Sequence, residues 1–84
     1  MRVNLVGERV TMWILPVANT GSRQMGIELE PEGHWFELPP AQKCEIRFAL
    51  GPAEFDLELE LHDDLVLIHS GAQKEVWQNG ERKR

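Results

Sequence analysis

The chain has 84 residues and a formal net charge of -5, from 14 acidic against 9 basic side chains. A chain of this length makes one domain with an economical core, because roughly 60 to 65 per cent of the unfolded surface is buried at this size. The acidic balance repels phosphate backbones and anionic lipid surfaces, so nucleic acid and membrane are set aside as partners.

No apolar run is long enough to span a bilayer, and Arg2, Asn4, Glu8 and Arg9 stand where a signal peptide needs an apolar stretch. A cytoplasmic location is expected. The single cysteine, Cys44, leaves no internal disulfide, which suits a reducing compartment and leaves stability to packing.

Residues 3–6 and 10–15 bracket Gly7 as the first strands, and residues 17–24, with Asn19, Thr20, Gly21 and Ser22, read as a polar loop. Residues 27–30 and 34–38 flank Pro31, Glu32 and Gly33, a spacing that predicts a hairpin over a type I turn with a left-handed glycine. Pro39 and Pro40 stop its second strand, since neither can donate to a ladder. Residues 43–50 admit a short helix after the two prolines, but alternation favours a strand. Cys44, Ile46, Phe48 and Leu50 share one face, Glu45 and Arg47 the other, and Gly51 with Pro52 ends the run.

The plainest alternation is in residues 55–61, where Phe55, Leu57, Leu59 and Leu61 interleave with Asp56, Glu58 and Glu60. This predicts a half-buried strand, because a helix would spread leucines and acids around its whole circumference. Asp63 and Asp64 make the turn, residues 65–69 return, and Ser70 and Gly71 close the hairpin. Residues 74–78 form the last strand before Asn79 and Gly80, and Arg82, Lys83 and Arg84 read as a frayed, solubilising tail. Seven or eight short strands without a helix-period window predict an all-β domain, a compact sandwich or barrel-like fold over residues 1–84.

The segment Glu30, Pro31, Glu32, Gly33, His34, Trp35, Phe36, Glu37, Leu38, Pro39, Pro40, with Asn79, Gly80 and Glu81 near the end, resembles a pattern in small uncharacterised bacterial β proteins. In that pattern an aromatic residue stands where this chain has Glu32, and a glycine where it has Ala41. The resemblance covers roughly residues 10–81 and implies a β fold; it carries no activity with it.

No constellation of residues demands catalysis. Cys44 shares a face with Ile46 and Phe48, where desolvation raises a thiol pKa, and neither Ser22 nor Ser70 sits in a nucleophile elbow. His34, His62, His69, Cys44, Asp63 and Asp64 lack zinc-ligand spacing, so no metal and no cofactor is expected. Asp56, Glu58 and Glu60 place three carboxylates on one strand face, with Glu28, Glu30 and Glu37 as candidate neighbours. An open face of this kind keeps acids ionised rather than set for glycoside hydrolysis.

The tryptophans carry the binding expectation. Trp35 shares parity with Glu37 and Trp77 with Glu75, which puts both on polar faces unless residues 17–24 or a neighbouring strand cover them. Trp13 lies in a stretch apolar on both faces and reads equally as core or interface. The expectation is a non-catalytic protein-interaction module, such as an inhibitor, an immunity-type or an accessory protein. Its binding face is expected to use Trp35, Trp77, Trp13, Glu58 and Glu60 against a basic partner. The alternatives are a small-ligand domain, for instance for carbohydrate stacked on tryptophan, and self-association as a homodimer that protects edge strands.

Overall fold

In the computed structural model, which describes residues 4–5, 12–49 and 55–83, every regular element is a strand. In chain order these are β1 (Asn4–Leu5), β2 (Met12–Ala18), β3 (Met25–Glu30), β4 (His34–Leu38), β5 (Lys43–Ala49), β6 (Glu58–Leu61), β7 (Leu65–His69), β8 (Gln73–Gln78) and β9 (Glu81–Arg82). They form two sheets, ordered β1-β2-β5-β8-β9 and β4-β3-β7-β6. All pairings are antiparallel except β3 with β7, which is parallel.

The sheets meet through alternate side chains. Leu15 and Val17 of β2, Cys44, Ile46 and Phe48 of β5, and Val76 of β8 face Ile27, Leu29, Leu38, Val66 and Ile68 from the second sheet. The period-two pattern across Cys44, Ile46 and Phe48 is therefore the core face of β5, with Leu50 outside the described residues. The β3–β4 hairpin closes over Pro31 to Gly33, with Gly33 left-handed at φ 72° and its N–H donating to the Leu29 carbonyl at 2.8 Å. The β6–β7 hairpin closes over Asp63 and Asp64, where the His62 N–H donates to the Leu65 carbonyl at 2.8 Å.

Four expectations need correction. Residues 55–57 do not pair in a ladder, because Phe55 is drawn to the core margin. Its ring stacks on Trp13 at 5.4 Å and meets Phe48 edge-on at 5.4 Å. Leu61 is 66% exposed rather than buried, since it occupies the last rung of an edge strand beside the hairpin tip.

The loop begins later than expected, because seven rungs against β5 carry β2 through Val17 and Ala18. Within that loop Asn19 is buried. Its Nδ2 donates to the carbonyls of Arg23 and Leu38, both at 2.8 Å, and its Oδ1 accepts from the Gly21 N–H. The basic end of the chain is not a frayed tail through Lys83. Asn79 and Gly80, both with positive φ, make the tight turn that a two-residue hairpin needs, and they return Glu81–Arg82 onto β8.

One charged contact joins the layers. The Lys74 side chain is fully buried, with Nζ 2.8 and 3.0 Å from the two Glu32 carboxylate oxygens and donating also to the Ser70 and Ala72 carbonyls. It ties the β3–β4 turn of one sheet to the start of β8 in the other.

Candidate interaction face

Because Ile27 and Leu29 point into the core, Gly26, Glu28 and Glu30 of β3 point outward. The same parity turns Trp35 and Glu37 of β4, Leu65, Leu67 and His69 of β7, and Glu58 and Glu60 of β6 to the outer side. Register aligns them in rows. Trp35 lies opposite Glu28, Glu28 opposite Leu67, and Leu67 opposite Glu60. Glu30, His69 and Glu58 make a second row, and Glu37, Gly26 and Leu65 a third. The face is a half-buried leucine strip with an exposed tryptophan at one side and acids at both.

Trp35 is 45% exposed and is seated on Gly26. An ideal Cβ on Gly26 would come within 2.0 Å of the indole ring, so the missing side chain is the space the ring fills. A glycine inside a strand is the sequence signal for such a close approach.

The acids on this face differ in their surroundings. The Glu28 carboxyl is pushed up by a hydrogen bond with Glu30, with smaller contributions from burial and the Glu30 charge, while His69 opposes the rise. The Glu60 carboxyl is held down chiefly by its 2.7 Å contact with His62 Nε2 and by the charges of His62 and His69, which outweigh desolvation. Among the described residues His69 Nε2 is enclosed without a hydrogen-bond partner, and Glu60 Oε1 lies 3.7 Å away. Glu37 and Glu58 make no ion pair among the described residues.

The other two tryptophans lie elsewhere. Trp77 is on the outer face of the first sheet, where the Arg47 guanidinium sits 4.1 Å above its ring. Its indole N–H donates to Glu75 at 2.8 Å. Glu45 in turn holds Arg47 at 2.9 Å, and Arg82 approaches Glu75 at 3.4 Å. These acids and bases pair with one another, and the face borders an open groove of about 400 Å³ lined in part by Pro16, Lys43 and Trp77. Trp13 faces inward at the core margin, stacked on Phe55. The expected five-residue set therefore divides, with Trp35, Glu58 and Glu60 sharing one face, Trp77 on the outer face of the other sheet and Trp13 turned toward the core margin.

No group of histidine, cysteine and acidic side chains suited to a metal ion occurs among the described residues. The Cys44 thiol is pushed up to about 11 by burial and by the Glu45 charge, so it stays protonated and unreactive near neutral pH. None of the described residues forms a helix long and apolar enough to cross a membrane. No protein-family model, no curated protein and no solved structure matches the chain.

Proposed function

We propose that the protein is a non-catalytic interaction module whose outer β4-β3-β7-β6 face binds a basic protein surface. The observation that carries this reading is the placement of an exposed tryptophan in one row with Glu28, Leu67 and Glu60, flanked by Glu37 and Glu58, which make no ion pair among the described residues. An aromatic anchor beside a leucine strip supplies contact area, and the acids supply steering and orientation toward cationic side chains.

The reading is tested by capture from host lysate at low salt with the tagged chain, comparing wild type with Trp35→Ala and Trp77→Ala variants shown to be folded. A stoichiometric basic protein retained by Trp77→Ala and lost by Trp35→Ala supports the face. Retention by Trp35→Ala removes it.

A second reading, small-ligand binding, is favoured by the groove beside Trp77. There Arg47 already covers one face of the indole and Glu75 holds its N–H, which narrows the room for a stacked sugar. Recovery of the chain with only itself would support a homodimer instead.

A further inference from the structure

The acidic face ends on a strand edge, and that edge defines what form the partner takes. We infer that the partner presents an extended basic segment that adds as a strand to β4. This rests on the reading of the face as a site for a basic partner.

The two sheets have four terminal strands among the described residues, β1 and β9 in one sheet and β4 and β6 in the other. β9 has two residues, too short to template a stable addition, and β1, described only at Asn4–Leu5, lies in the sheet that does not carry the acidic face. β6 has four residues, and Glu60 is already engaged with His62 at 2.7 Å and lies near His69.

Among the described residues β4 is the longest of the four, with five residues and one strand neighbour, β3. It holds no lysine and no proline, the residues that commonly blunt an edge. On its outer side Trp35 and Glu37 stand two positions apart, so a residue of an added strand opposite them meets an indole and a carboxylate. That pair suits a lysine or arginine, through cation–π and charge attraction. Its alternate residues would turn toward Phe36, which is half-buried against the core margin.

The charge balance separates a foreign segment from a second copy. Pairing β4 with its own copy would lay two acidic faces side by side on chains of net charge -5, whereas a basic segment relieves the same repulsion.

The test uses the full chain, isotope-labelled, with a synthetic peptide of alternating lysine and valine. Its control is the same peptide N-methylated at every backbone amide, which keeps the charge and removes the ladder donors. The expected result is saturable binding, amide exchange on β4 slowed about tenfold or more, and affinity for the methylated peptide at least about tenfold weaker. Equal binding of both peptides, or protection on β6 instead, overturns strand addition at β4 while leaving the acidic face as a binding surface. Binding of neither peptide overturns strand addition and counts against the acidic face as well. Protection of β4 that rises with protein concentration alone assigns the edge to a second copy and overturns the inference.

Discussion

Trp35 rests its indole on Gly26, in the volume that a side chain at that position would need. The contact couples a backbone choice in β3 to the exposure of the one tryptophan on the acidic face. It also explains how a large aromatic is held in place on a sheet surface while remaining 45% exposed.

Replacing Gly26 therefore repositions Trp35 rather than simply loosening the core. Gly26→Ala is expected to swing the ring outward, cost about 1–2 kcal/mol of stability, and red-shift the Trp35 emission measured in a Trp13→Phe, Trp77→Phe background. An unshifted spectrum in a folded variant would show that the ring does not depend on the glycine.

The Lys74–Glu32 contact predicts a stability effect with a defined pH range. Glu32→Gln keeps an amide oxygen as acceptor but removes the charge that faces the buried ammonium, and is expected to cost about 2 kcal/mol, below the range for fully buried pairs because Glu32 is partly exposed. Burial raises the Glu32 pKa, but the hydrogen bond and charge of Lys74 outweigh it and the net shift is downward. The stabilisation is therefore complete above the ordinary value of 4.5 and is lost as pH falls through the lower folded value. Urea titrations at neutral pH and in this acidic range should show the difference between wild type and Glu32→Gln shrinking as the pH falls.

Ala41 adopts φ 63°, a left-handed conformation that a side chain disfavours by about 1–2 kcal/mol. Ala41→Gly relieves that strain but adds freedom to the unfolded chain, so a net gain of about 0.5–1 kcal/mol is expected. Thermal unfolding checks it, and a destabilised variant would contradict the assigned backbone geometry.

Turn chemistry and alternation made much of the fold legible. Pro31 to Gly33 and the Asp63–Asp64 pair marked two hairpins, and Cys44, Ile46 and Phe48 marked a core strand. The parallel pairing of β3 with β7 was not legible, because no local signal joins segments so far apart in sequence. Nor was Lys74, whose parity with Val76 aims it inward at a sandwich end where carbonyls and Glu32 receive the ammonium.

Of the candidate site, parity marked Trp35, Glu58 and Glu60 each as outward-facing, but nothing in the sequence joined them on one sheet or parted them from Trp77 and Trp13. Trp77 shared the same sequence signature but belongs to the opposite sheet, covered by Arg47 from β5. Strand parity assigns a residue to one face of its own sheet; it does not say which sheet.

Binding of a basic partner by the acidic face is tested by calorimetry on the captured partner at about 50 and about 500 mM salt. Glu58→Lys/Glu60→Lys is expected to weaken binding by about tenfold or more at low salt, and high salt to weaken the wild type and narrow the gap. Unchanged affinity in the charge-reversal variant at both salt concentrations, with loss on Arg47→Ala or Trp77→Ala, would contradict it and move the site to the opposite sheet.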